Sequence, residues 1–157
     1  MKMTDKEKGE LLEHLGKYKL MSLGTYYELP WAASVYYLFD NELNLYFVSN
    51  PKTKHCINIL KNPKVSVTIA DSTQQPNMKK KGLQARGLAK QVTPISELKV
   101  IIRLWNEKGF APLNYKLLTR VWKSRFYKIK LTDIQMFDEN QPEALEIRNW
   151  KLQDTGT

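Results

Sequence analysis

Cysteine is nearly missing from this chain: Cys56 is the only one in 157 residues. No internal disulfide is possible, which implies a reducing compartment. One cysteine and two histidines are too few for a convincing zinc site. His55 beside Cys56 makes a poor catalytic pair, because nucleophile and base normally converge from separate segments. Cys56 among its apolar neighbours reads as a packing residue. Long apolar runs are absent, so no segment is long enough to span a bilayer as a helix. Residues 1–8 also lack the apolar stretch of a signal peptide, and the expected location is the cytoplasm. Neither a Gly-x-Gly-x-x-Gly nor a Walker sequence occurs, which removes dinucleotide-fold and P-loop readings. Acidic residues are in deficit, 16 Asp and Glu against 25 Lys and Arg, for a formal net charge of +9. Such a balance favours anionic partners: phosphorylated cofactors, acidic substrates or nucleic acid. The lysines are dispersed, and the one cluster, Lys79-Lys80-Lys81, falls in a polar loop, the pattern of a solvated surface.

What is present is ordinary for a folded domain: 42% hydrophobic and 26% charged residues, in a length that fits one domain over residues 1–157. Thr4 followed by Glu7 is a capping box, and Leu11, Leu12 and Leu15 form an apolar stripe, predicting a helix over 4–17 that Gly16 can end. His14 on that helix has no ligand-like neighbour and reads as a surface or packing residue. Residues 20–27 predict a first strand, 28–30 a turn and 31–39 an aromatic second strand. A hairpin turn at 40–42 leads into the strand 43–49, where Leu43, Leu45 and Phe47 share one face at period two. Asn50-Pro51 breaks that strand. Thr53 is placed to cap a short helix carrying Cys56, Ile57 and Leu60, and Asn62-Pro63 stops it. Val65, Val67 and Ile69 alternate through the strand that follows, and a polar loop over 71–81 separates it from a strand over 82–92. Leu98, Ile101, Ile102 and Trp105 predict an amphipathic helix over 96–108, with Gly109 as its stop. A helical turn is expected over 112–120, strands over 122–131 and 132–138 with a slight bend between, a turn at 140–142 and a last strand over 144–152. Hairpins outnumber βαβ units, so the fold class is mostly β (α+β), an antiparallel barrel with peripheral helices.

The strand end at Ser49 meets the helix start at Thr53-Lys54-His55. Free N–H groups and the positive end of the helix dipole favour an anion at such a place. Two hydroxyls, an ammonium and an imidazole around that point make a phosphate socket; an ordinary solvated first turn is the other reading. Ala32, Ala33 and Ser34 interrupt a bulky strand, which either admits a flat ring close to the backbone or relieves crowding inside a barrel. Gln84 offers donor and acceptor together, or is an exposed strand glutamine.

The order of Leu45-Tyr46-Phe47-Val48-Ser49, Thr53-Lys54-His55, Asn62-Pro63-Lys64-Val65 and Gly82-Leu83-Gln84-Ala85-Arg86-Gly87 resembles the FMN-binding split barrels related to pyridoxamine phosphate oxidase. The likeness covers residues 20–90. It is nearest to a short bacterial branch with Lys-Thr-(Arg/Lys)-His at the socket and an Asp-(Ser/Thr)-Gly-Thr ending, as in Asp154-Thr155-Gly156-Thr157 here. The resemblance implies an antiparallel split β-barrel, a homodimer with cofactor sites between subunits, and FMN as cofactor. Ser49, Thr53, Lys54 and His55 would then hold the phosphate. Ala33, Ser34, Val35 and Val48 would flank the ring and ribityl chain, and Gln84 would meet a ring edge or ribityl hydroxyl. The implied activity is that of a small flavin-dependent oxidoreductase with its substrate open. True vitamin B6 oxidases carry an Arg-x-His-x-Arg motif near the C-terminus. Here the chain reads Ile134-Gln135-Met136-Phe137 and then Leu145 to Trp150, without it, so that activity is not expected. Phe137 and Arg148 are candidates for the family's late cofactor positions. Competing readings are a basic β-barrel binding single-stranded nucleic acid through strand aromatics such as Tyr36, Tyr37 and Tyr46, and a split barrel using haem or deazaflavin. His55, where most relatives carry a second Lys or Arg, bears on that choice.

Overall fold

A computed structural model describes residues 3–93, 95–107 and 124–152. Its described strands form one sheet in which every pairing is antiparallel. The order is β2 (Leu29–Tyr36), β1 (Leu20–Tyr27), β5 (Lys64–Ala70), β6 (Lys81–Gln91), β7 (Arg125–Asp138), β4 (Leu45–Ser49), β3 (Leu38–Phe39). β8 (Ile147–Lys151) pairs with β7 off this path. β7 is the spine: β6 runs along its length, β4 flanks residues 125–129 and β8 flanks residues 133–137. The sheet curls into a half-barrel, and β2 comes close to β4 without pairing to it. This is the expected antiparallel split barrel with peripheral helices.

Period-two alternation decides which way each strand faces. Met21 and Leu23 of β1, Val65, Val67 and Ile69 of β5, Leu83 of β6 and Leu45 and Phe47 of β4 all point into one core. α1 (Asp5–Lys17) closes that core with Leu11 and Leu15, and Thr4 and Glu7 cap it reciprocally. Buried His14 pins this helix to the sheet by donating from Nε2 to the Ile69 carbonyl at 2.9 Å. Tyr37 Oη donates to the Leu15 carbonyl at 2.8 Å. α2 (Lys54–Lys61) sinks Cys56 and Ile59 into the same core. A second, smaller cluster of Leu38, Tyr46, Val92, Ile101 and Leu104 lies under α3 (Ile95–Glu107).

Several boundaries differ from the sequence reading. The second strand begins at Leu29, because Glu28 alone makes the turn with φ of 64°. Pro30 fits inside β2 since β2 is an edge strand, where a missing N–H costs little. The fourth strand starts at Leu45, after Leu43 takes a left-handed φ of 61°. That hairpin is held by the Asp40 carboxylate, which accepts from Glu42 N, Asn44 N and Tyr46 Oη. On α3 it is Leu104 that is buried while Ile102 is 45% exposed, since residues 101 and 104 fall nearer the centre of the stripe. The two late strands are one continuous β7, and the expected bend is a bulge. Arg86 pairs with Asp133 and Gly87 with Leu131, leaving Thr132 as the extra residue. The last strand is shorter than expected because residues 143–145 form a 3-10 turn. Gly109 as a helix stop, the turn over 112–120, the strand start at Trp122 and the ending at 154–157 lie outside the described residues. No helix among the described residues is long and apolar enough to cross a membrane.

Candidate functional site

The Asn50-Pro51 break ends β4 and lets the chain re-enter as α2 within a few residues, which brings Ser49, Thr53 and His55 together. Ser49 Oγ lies 2.7 Å from His55 Nε2 and 3.5 Å from Thr53 Oγ1, and His55 Nε2 lies 3.2 Å from Thr53 Oγ1. Thr53 occupies the N-cap position, but its hydroxyl does not cap the helix. It turns back and donates to the Asn50 carbonyl at 2.8 Å. The first turn of α2 therefore starts without a side-chain cap, and its N–H groups point at whatever sits above it. Lys54 opens the helix and is exposed, whereas His55 is buried at 8% exposure with its ring 6.2 Å from that of Phe47.

Behind the hydroxyls lies a buried wall. Tyr127 stacks on Phe47 with centroids 5.0 Å apart and planes 12° from parallel. Its hydroxyl is buried beside the Cys56 thiol, and burial, then that neighbour, push its acidity down. Burial pushes the Cys56 thiol up. The polar groups of His55, Thr53, Tyr127 and Ser49 beside it prevail and leave it below its ordinary value. With no exposed surface, Cys56 is the packing residue that its neighbours suggested.

The remaining expected site residues divide between the two faces of the sheet. Ala33 packs toward the core and Val35 is buried in it. Ser34 is exposed on the outer face, in a polar cross-strand row of Ser34, Ser22, Thr68, Gln84 and Gln135. Gln84 is thus on the same face as Ser34 but three strand spacings away, roughly 14 Å. Val48 alternates with Ser49 and points to the side that α3 covers, paired with Phe126. Arg148 is engaged elsewhere, donating from Nη1 to Glu10 of α1 at 2.7 Å and lying over the Trp150 ring. Phe137 pairs with Gly82 and Ile147, away from β4.

Two residues of the site were not anticipated. Arg125 stands directly opposite Ser49 across the β4–β7 ladder, where opposed side chains share a face within about 5 Å at Cβ. Tyr127 follows two residues on. The period-two pattern of the late strand carries both residues, but only the register places them beside Ser49. Further along the outer face, an open concavity of about 750 Å³ is lined by Tyr26, Trp31, Lys64, Ser66 and Arg86 among others. Arg86 there is held by Asp133 in a two-pronged ion pair at 2.9 and 3.2 Å. No group of three His, Cys, Asp or Glu among the described residues is disposed to hold a metal.

A family model described as pyridoxamine 5'-phosphate oxidase matches residues 8–137. Similar solved structures include a putative pyridoxamine 5'-phosphate oxidase from Listeria innocua, with TM-score 0.62 and 21% identity, covering 82% of this chain and 96% of that one. An FAD-binding protein from Mesorhizobium loti has TM-score 0.62 and 19% identity, covering 80% and 87% of the two chains. A heme binding protein from Mycobacterium smegmatis has TM-score 0.71 and 10% identity, and the match spans 96% of this chain but 59% of that protein. At such identities the likeness is one of fold. No curated protein sequence matches significantly. With its half-barrel, its match over residues 8–137 and its split-barrel relatives, the chain belongs to the pyridoxamine 5'-phosphate oxidase family.

Proposed function

We propose that the protein binds FMN and acts as a small flavin-dependent oxidoreductase, in a cytoplasmic homodimer with the cofactor sites between subunits. The observation that carries this reading is the uncapped first turn of α2, with the Ser49, Thr53 and His55 cluster at its start and Lys54 on it. A phosphate fits that donor set. The open N–H groups and the helix dipole attract it, Ser49 donates to it, and Lys54 and Arg125 offset its charge. When bound, FMN supplies two-electron transfer between a donor such as a reduced nicotinamide and a small acceptor. The protein's part is to anchor the phosphate, to let a flat ring approach β2 at the small residues Ala33 and Ser34 with Val35 beside them, and to exclude water. Val48 and Gln84 are the further candidates for contact. Genuine pyridoxamine phosphate oxidation is not proposed, because residues 134–150 lack the Arg-x-His-x-Arg motif.

The haem-binding relative makes haem the competing cofactor, and the flavin-binding relative supports a flavin. Both histidines weigh against a haem held by histidine. His14 Nε2 is committed to the Ile69 carbonyl, and His55 Nε2 to two hydroxyls, so neither offers a free Nε2 as an axial ligand.

The test is to release any bound ligand by heat, identify it by mass, and titrate the apoprotein with FMN and with riboflavin by fluorescence quenching. The wild type is expected to prefer FMN. Lys54→Ala combined with Thr53→Ala removes a charge-assisted contact and its neighbour. That change is expected to weaken FMN binding by roughly 10- to 100-fold while leaving riboflavin binding unchanged. An FMN affinity untouched by the double substitution overturns the reading. Salt-sensitive binding of single strands without flavin would instead support the nucleic-acid alternative.

A further inference from the structure

Counting protons in the socket gives His55 a task different from that of a cation. The Asn50 carbonyl can only accept, so the 2.8 Å bond from Thr53 Oγ1 uses that hydroxyl's one proton. Thr53 Oγ1 is left with lone pairs, and its 3.2 Å contact with His55 Nε2 requires the proton to come from the imidazole. The same Nε2 lies 2.7 Å from Ser49 Oγ. We infer that His55 is a positioning residue: protonated on Nε2, it donates a three-centre hydrogen bond to Ser49 and Thr53, which leaves the Ser49 proton only the long 3.5 Å contact with Thr53 to give up for an anion above α2. The inference rests on the phosphate reading proposed above.

The opposite tautomer fits worse. With Nε2 bare, Ser49 would spend its proton on the imidazole, and Thr53 would face a second lone pair across 3.2 Å. The placement of the ring agrees. It is buried at 8% exposure, with Phe47 beside it, so it backs the hydroxyls instead of standing among the groups open to a ligand. A second Lys or Arg here would reach the ligand directly. His55 acts through Ser49, and the cationic work passes to Lys54 and Arg125.

A double-substitution cycle on the full chain tests this, with FMN and riboflavin titrations run side by side. Ser49→Ala and His55→Leu are each expected to weaken FMN binding about tenfold and to spare riboflavin. The combined variant is expected to lose no more than the worse single one, because the second change acts on a bond already gone. His55→Gln, whose amide N–H can reach where Nε2–H reached, is expected to recover most of the loss. Losses that multiply in the double variant, or an unaffected His55→Leu, overturn the inference while leaving the phosphate socket standing. A wild type without preference for FMN over riboflavin overturns the socket itself. Should His55→Leu fail to fold, the side-chain ¹⁵N spectrum of the wild-type histidines decides: a proton on Nε2 of His55 supports the assignment, and a neutral ring protonated on Nδ1 overturns it.

Discussion

His14 shows how one buried residue gives the fold a pH dependence. Burial holds its imidazole below the ordinary value of 6.5, against the opposing pull of its hydrogen bond to the Ile69 carbonyl. The unfolded chain therefore takes up the proton more readily than the folded one. This contribution to stability is complete above pH 6.5 and is lost as the pH falls below it. Asp138 titrates in a lower window. Burial pushes its carboxyl up, but hydrogen bonds from Asn140 and Lys81 outweigh that and hold it below 3.8. Urea unfolding at about pH 7.5 and about pH 5.5 is expected to show the wild type weaker at the acid end. His14→Gln, which keeps a donor for Ile69 but cannot titrate, is expected to flatten that difference. An unchanged slope in the variant would remove His14 as its source.

At the scale of elements, two glycines make opposite predictions. A Cβ on Gly87 would collide with the Lys130 carbonyl oxygen at the bulge, whereas one on Gly9 meets open space on α1. Gly87→Ala is expected to destabilise by about 1–3 kcal/mol. Gly9→Ala is expected to stabilise by about 0.5–1 kcal/mol. Chemical denaturation midpoints read both. What was legible in the sequence follows the same line between near and far. The capping box at Thr4 and Glu7, the span of β1 and the inward face of Leu43, Leu45 and Phe47 are written in adjacent residues, and they came out as expected. The meeting of Ser49, Thr53 and His55 was also legible, since all three lie within one strand–turn–helix. The burial of Tyr46 was not, because α3 arrives from a distant part of the chain to cover the second face of β4. Nor were the bulge at Thr132 or the place of Arg125 opposite Ser49, which depend on register between strands far apart in sequence. The direction of the Thr53 hydroxyl was missed for a subtler reason. An N-cap threonine can bond forward into the helix or backward to the turn, and residue type does not choose between them.

For the whole molecule, the outer face of the sheet is where a second copy is expected. Leu20 and Tyr36 at one end and Tyr26 and Leu88 at the other are exposed apolar residues, with the polar row through Ser22, Thr68 and Gln84 between them. Such a mixture suits a subunit interface. Sedimentation is expected to give twice the monomer mass for the wild type, and Tyr36→Asp is expected to shift the protein toward monomer and lower FMN affinity with it. A wild type that sediments as a monomer with FMN bound would remove the interface from the proposal. The place of β7 in the sheet has a further consequence, for the order of synthesis. β4, which carries Ser49, has only the two residues of β3 paired to it until residues 125–129 are made. On the ribosome, the first half of the chain is therefore expected to emerge with one edge of β4 unpaired and with Ser49 lacking its neighbours Arg125 and Tyr127. A nascent chain stalled short of Arg125 is the form that holdase chaperones are expected to find.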